Sequence, residues 1–505
     1  MPSTVRVLAA LVVVLLAGLV PAKSARARTV AKTAWKVDLG KARDVSGISV
    51  RWRARVSGRY RVQTSVDGRR FRTAAKLRSR RGRKSRVRVN RTARFVRLAG
   101  RRWRAPRLVI RANAAEEKRR PAKPIAAPTP SPAAAPASEA AWTGGELPAP
   151  LAPSTGTRRY VALTGSDANP GTETRPWRSV QRALELAEPG EQILVRGGTY
   201  SGTALGRDLG GGVGHAILAS PQGAPGAPIT LQPHPGEQVT LNGFVSFPRA
   251  AYFRMTGFVV DGSGAPAGAE GVSLGNTSTG APSHVEISYN EIRNFQPSGR
   301  HAQGILHFSG SNTALLGNRI HHIGDLRFFD HGIYMKAGSR VVVANNVISD
   351  ITGGYGLHIW GDFDDSWVIN NTVYGSAASG FTIGGNDERG RPDRVVTANN
   401  ILAGHGSAAD GQQGYAAKEY QPGSGNSTRN NLGWANARSN PFALTASGPA
   451  ENRTHDPRFA SAASRDLRIE SGGAAADEAE DFGLLLDADG RPRDARPDIG
   501  AFEAP

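Results

Sequence analysis

Between residues 331 and 360, a lysine, two imidazoles and two aromatic rings recur at short spacing: His331, Tyr334, Lys336, His358 and Trp360. Imidazole exchanges a proton near neutral pH. A lysine can do so when burial or neighbouring cations lower its pKa. An aromatic face suits a sugar ring, and a cation suits its carboxylate. A base near an acidic C–H, with positive charge to hold the enolate, is what β-elimination of a uronide needs. His331, Lys336 and His358 are therefore the candidate catalytic residues. Tyr334, Trp360 and the later Lys418 are the candidate substrate-binding residues, with Glu419 beside Lys418. Asp362, Asp364 and Asp365 follow Trp360, and Asp387 and Glu388 come some two dozen residues on. Such an oxygen-rich set suits Ca²⁺, although Asp-x-Asp-Asp also occurs in plain turns.

Internal repeats must position these residues. Asn-x-aliphatic steps begin at Asn290, Asn318, Asn346, Asn371 and Asn400, spaced 28, 28, 25 and 29. A Gly-x-x step recurs at Gly271, Gly304, Gly332, Gly356 and Gly380, spaced 33, 28, 24 and 24. Such periods mark a repeat architecture. Short β-branched runs with Gly and Asn punctuation make the units strands, and stacked coils share a core that one coil cannot bury alone. The pattern predicts an all-β right-handed parallel β-helix. Side chains alternate along a strand, so Ile333, Met335, Leu357, Ile359, Phe381 and Ile383 point inward. One outward ladder then reads Ser273, Leu306, Tyr334, His358, Thr382, and the other Gly275, Phe308, Lys336, Trp360, Gly384. Lys336 is expected beside Trp360 and diagonal to His358. The Asn residues are expected to form interior turn ladders. His321 and His322 read as solvated turn residues, and His307 as a hydrogen-bonded interior one.

The repeat resembles the secreted right-handed parallel β-helix proteins, the fold of pectate lyases. The stretch 159–200 resembles their opening: Gly165-Ser-Asp-Ala-Asn-Pro-Gly-Thr172, Pro176-Trp177 and Gly197-Gly-Thr-Tyr200. Within it, a helix over 179–187 with Ser179 as N-cap and Pro189-Gly190 as stop would cover the first coil. Residues 487–503 resemble the closing segment of such proteins, expected as a cap and final strand. In one pectate lyase group the catalytic base is the lysine of Gly-Phe-Lys-Leu-Gly-Gly. The matching stretch here is Gly380-Phe-Thr-Ile-Gly-Gly385, with Thr382 at the base position. That group's calcium-binding aspartates fall where Tyr355 and His358 stand, so a lyase of this sequence needs another constellation.

Arg6, the apolar run Val7–Val20 and Ala25-Arg-Ala27 read as a secretory leader over residues 1–27. That apolar run is too short to span a bilayer comfortably. No other stretch suggests a membrane span, so the expected product is secreted or attached to the cell surface. Cysteine is absent, so stability rests on stacking rather than disulfides. The net charge of +22 is unevenly placed: residues 1–125 hold 36 of 64 Lys+Arg and 5 of 42 Asp+Glu, leaving 28 against 37. Such asymmetry points to a polyanion, an acidic polysaccharide or cell-wall polymer rather than nucleic acid, or to a merely solvated basic surface. Residues 34–113 show alternating strands, a Val66-Asp-Gly68 hairpin signal and a basic loop at 78–88, and they resemble a shortened discoidin-type β-sandwich. The Pro/Ala-rich stretch 114–157 reads as a linker, and 158–505 as the β-helix. The expected activity is binding, and possible β-elimination, of an acidic polysaccharide by a monomer. The alternatives are a non-catalytic glycan-binding scaffold and a glycoside hydrolase, which needs two carboxylates across a groove.

Overall fold

The computed structural model describes residues 146–505 except 210–214, 266–268, 277–279, 297–300, 326–328, 387–388, 407–412 and 446–450. Of the first 145 residues it describes 12–17, 28–29, 34–51, 58–66, 70–79, 84–100 and 107–113. The chain divides into two compact units, 1–134 and 135–505.

In the first unit the described strands make one seven-stranded sheet in which Ala34–Arg51 and Lys84–Gly100 pair centrally. Gly58–Ser65 and Arg72–Ser79 form the expected hairpin. Its turn residues Asp67 and Gly68 lie outside the described residues, as do most of 1–27 and of 114–157. Of the predicted leader, Val12–Ala17 is described, paired in parallel with Arg107–Asn113. Of the basic stretch 78–88, residues 80–83 lie outside the described residues, and the two ends are strand rather than loop. Lys84–Arg88 pairs with Gly47–Arg51, because Lys84-Ser-Arg86-Val-Arg88-Val carries the two-residue period of a strand beneath its charge.

The second unit is a parallel β-solenoid. One ladder runs through nine strands from Gly198–Tyr200 to Leu432–Trp434. Two others complete each coil; in the middle of the unit they pass through Gln303–His307, His331–Ala344, Leu357–Asp364 and Phe381–Gly384, and through Ser283–Ser288, Ser311–Leu316 and Ser366–Ile369. The inward positions are as expected: Ile333, Met335, Leu357 and Ile359 are fully buried, and Phe381 and Ile383 nearly so. Each such side chain contributes about 2 kcal/mol against its exposed state. His307 shares their position, but its ring nitrogens reach no hydrogen-bond partner among the described residues. It sits edge-on to Phe363, and burial pushes its pKa down to about 4. It is interior, as expected, and the main chain of Ala337 and of His307 itself opposes that fall.

The Asn ladder is continuous. Asn290, Asn318, Asn346, Asn371, Asn400 and Asn431 each donate Nδ2 to the Oδ1 of the next, ending at Asn452, over 2.8–3.1 Å. The residue before each rung turns left-handed: Asn345, Asn370, Asn399 and Asn430 have φ of 50–58°, which Asn tolerates. Gly317 holds the same place at φ 61°, and a Cβ there would meet the Tyr289 ring at 2.6 Å.

The helix Val180–Leu186 starts at Ser179, whose Oγ accepts from Arg182 N–H. It buries Val180, Ala183 and Leu184 against the first coil. Residues 147–157 are not a free linker: Ser154 is buried and donates to Pro228 O, and Leu151 O accepts from Arg254. Their composition reads as linker because extended Pro-rich chain laid along a coil needs few apolar side chains. The closing segment is likewise neither cap nor final strand. It lies as a strap over the turn flank, where Asn345, Asn370, Asn399 and Asn430 donate to the carbonyls of Leu486, Asp498, Glu480 and Glu478. Left-handed Asn turns hold their amides outward, and a strand-free segment supplies the acceptors.

Candidate functional site

The outward ladder exists as register: Ser273, Leu306, Tyr334, His358 and Thr382 are successive partners, and Lys418 continues it beyond Thr382. Stacking at about 4.8 Å per coil lets the rings meet. Tyr334 stacks on His358 with centroids 4.9 Å apart and planes 11° apart. His331 begins the Tyr334 strand, wholly buried, with Nε2 3.0 Å from His358 Nδ1 and Nδ1 3.2 Å from Tyr355 N–H. Tyr355 lies in register with His331, one coil on, and its ring stacks on the His331 ring. Burial, then the charges of His358 and His301, hold His331 well below its ordinary pKa, with the Asp330 main chain opposing. Burial, then Arg389, pushes His358 down to about 3. Burial thus favours the neutral form of both imidazoles.

The second ladder contains a bulge. Between Met335 and Ala337 the register slips, so Trp360 and Gly361 together oppose Lys336. Gly361 permits it: φ is 129°, and a Cβ would come within 2.5 Å of Lys336 O. The consequence corrects the expected neighbour of Lys336. Its ammonium lies 4.0 Å over the Phe308 ring, one coil back, rather than against Trp360. Burial and Arg389 lower its pKa, while Glu270 opposes them. Burial in turn raises the Glu270 carboxyl, with its own main-chain amide and Lys336 opposing.

Trp360 turns the other way. It is in register with Gly384, and Gly384 with Tyr420. Because Gly384 has no side chain, two rings that belong to alternate coils close over it, stacked at 5.5 Å and 24°. Tyr420 is 49% exposed, so the pair presents a ring surface to solvent. Lys418 lies 5.4 Å from the Tyr415 ring. Arg389 comes from the turn Asn386–Gly390, where Asn386 Oδ1 accepts its N–H, and donates to Tyr334 Oη over 3.4 Å.

Sequence reasoning thus missed Glu270, Tyr355, Arg389 and Tyr420. Glu270 and Tyr355 occupy the position before the repeat glycine, as His331 does, so extending that ladder would have found them. Tyr420 is the Trp360 ladder carried two coils on. Arg389 sits in a turn that no strand period addresses.

The acidic set divides. Asp365 is forked to Arg394, and Asp364 accepts from Asp393 N–H. Asp387 lies outside the described residues. Burial, then the Asp393 charge, raises Asp362. Burial pushes Asp364 up to about 6, with Asp362 and Asp393 adding and the Asp393 amide opposing. Among the described residues no three such groups converge as metal ligands. Asp365 is thus engaged by arginine, and burial disfavours the charged forms of Asp362 and Asp364. His321 and His322 are solvent-facing as expected, but lie in strand Arg319–Ile323 rather than in a turn. They contact each other through Nδ1, and His321 Nε2 meets Glu291.

Residues 260–432 match the family described as right handed beta helix region. Residues 23–98 match a NedA-like, galactose-binding domain, and 163–207 a protein family of unknown function. The solenoid is a right-handed parallel β-helix, and the first unit carries a discoidin-like domain. Two curated proteins are similar. One is the uncharacterized protein YwoF of Bacillus subtilis, 27% identical over 26% of this chain. The other is the pectate lyase PEL9 of Emericella nidulans, 34% identical over 17% of this chain. The matched stretches span 28% and 18% of those proteins. Among solved structures, pectate lyase Pel9A aligns at TM-score 0.46 and 17% identity, over 72% of this chain and 98% of its own.

Proposed function

We propose that the protein acts outside the cell on an acidic polysaccharide, binding it along the outward face of the coils and cleaving it by β-elimination. The supporting observation is the run of rings Tyr334, His358, Trp360 and Tyr420 with two cations, Lys336 and Arg389, in one electrostatic neighbourhood. Trp360 and Tyr420 offer a stacking surface for a sugar ring. Arg389 meets the uronate carboxylate, and Lys336, whose neutral form burial favours, takes the proton α to it. The C–H electron pair becomes the new C=C bond as the glycosidic C–O bond breaks, and the departing oxygen takes a proton from water.

The test is incubation of the protein with pectate, alginate and glycosaminoglycans, with and without Ca²⁺, following the ultraviolet absorbance of unsaturated uronides. Product from one polymer, abolished by Lys336→Ala, is the expected result. Absence of product from all of them overturns the lyase reading.

The second reading is a glycan-binding scaffold, and the basic first unit favours it. Arg61 and Lys76 are exposed cross-strand partners in that sheet, and like charges so placed repel unless an anion screens them. It predicts salt-sensitive retention on acidic polymer that survives Lys336→Ala and His358→Ala. Acid–base hydrolysis, the third possibility, would have to draw on carboxyls with raised pKa such as Glu270, Asp362 and Asp364.

A further inference from the structure

We propose that His358 meets its ligand as a fixed hydrogen-bond donor through Nε2–H, and that His331 is the positioning residue that locks it in that form. The lock begins at a main-chain amide. Tyr355 N–H can only donate, and it lies 3.2 Å from His331 Nδ1. That nitrogen therefore carries no proton, and His331 keeps its proton on Nε2. His331 Nε2 is 3.0 Å from His358 Nδ1, so it donates and His358 Nδ1 accepts. The only site left for the His358 proton is Nε2. Protonating His331 would set Nδ1–H against Tyr355 N–H, and protonating His358 would set Nδ1–H against His331 Nε2–H.

The surroundings reinforce the lock. The rings about His358 are Tyr334, Tyr355 and Trp360. The charges acting on the pair are those of Arg389, His301 and the imidazoles themselves, and all of them disfavour an imidazolium, while the Asp330 main chain opposes them at His331. His358 is 8% exposed, and Nε2 has no hydrogen-bond partner among the described residues. Thr382, the next rung, is 2% exposed, and its hydroxyl is also unpartnered. Two adjacent rungs thus hold polar groups to which no described residue offers a partner. A ligand oxygen that accepts is the complement of His358. Naming it a uronate oxygen rests on the proposed function; the proton positions do not. His358 has no free lone pair for proton abstraction, which leaves that step to Lys336.

The test uses the full chain labelled with ¹⁵N-histidine and long-range ¹H–¹⁵N spectra between about pH 8 and pH 5, the window in which ordinary imidazole titrates. His331→Gln and His358→Gln assign the two rings. The expected spectra show the Nε2–H tautomer for both, unchanged across the window. An Nδ1–H tautomer on His358, or its titration within the window, overturns the proposal. In His331→Phe, His358 is expected to show mixed tautomers or to titrate. An unaltered His358 in a folded variant also overturns the proposal, and the wild-type spectra decide if the variant does not fold. Addition of a galacturonate oligomer is expected to move the His358 Nε2 signal. An unmoved signal with both tautomers as stated sinks the uronate reading and leaves the lock standing.

Discussion

At the scale of single residues, the proposed function assigns stacking and chemistry to different side chains. Trp360 and Tyr420 form one surface, so Trp360→Ala and Tyr420→Ala are each expected to weaken oligosaccharide binding about tenfold, about 1.4 kcal/mol. The double variant should lose little more than the stronger single one, because either change destroys the shared surface; titration calorimetry of the three proteins checks this. In the proposed elimination Lys336 acts deprotonated, so turnover should rise with pH through one ionisation below the ordinary lysine range. Lys336→Arg, which cannot deprotonate, should abolish turnover while retaining binding, as pH–rate profiles would show. Asp364 predicts a stability effect. Its folded pKa of about 6 exceeds the ordinary aspartate value of about 3.9, so between those values the folded state binds more protons than the unfolded, and its contribution falls as pH rises. Asp364→Asn should therefore improve the denaturant midpoint, relative to wild type, more at pH 7 than at pH 4. Period alone made the Tyr334–His358–Thr382 alignment legible. The direction of Lys336 was not, since a bulge changes which backbone faces it without disturbing the spacing of the repeat glycines.

At the scale of elements, the Asn ladder and the strap stabilise different things. Asn346 bonds Asn318 on one side and Asn371 on the other, as well as the carbonyls of Leu315 and Ala344. Asn346→Ala leaves several buried groups unpaired, and a loss of about 3 kcal/mol or more is expected in chemical denaturation. The strap is pinned by Arg493, whose side chain is 3% exposed and bonds Glu503, Asn345 and Gly500 O. Arg493→Ala strands the Glu503 carboxyl in the interior. The expected result is faster hydrogen exchange and proteolysis within 478–503, with the coils at 290–400 unchanged. The ladder was readable because each rung repeats the same residue at the same step. The strap was not, because its hydrogen bonds join residues as far apart as Asn345 and Leu486 and it has no period of its own.

At the scale of the molecule, charge and architecture are divided between two units. The first carries the basic excess, and the second is acidic on balance. Retention of the full chain on immobilised acidic polymer should therefore fall steeply as salt rises from about 0.05 to 0.5 M. Replacing Arg61 and Lys76 by Glu should cut retention without changing turnover of soluble substrate. No helix among the described residues is long and apolar enough to cross a membrane. Composition made the division of charge legible before any coordinates. The attachment of residues 147–157 to the coils was obscured, because Pro and Ala describe an extended chain equally well whether it is free or laid against a coil.

The strap also has a temporal meaning. Its residues 478–503 come later in the chain than every turn they cover, so a polypeptide emerging amino-end first can zip up rung by rung while one flank stays unsheathed. Truncation before residue 478 would then leave assembled rungs with bare asparagine amides and apolar edges, a product prone to clump rather than to unravel.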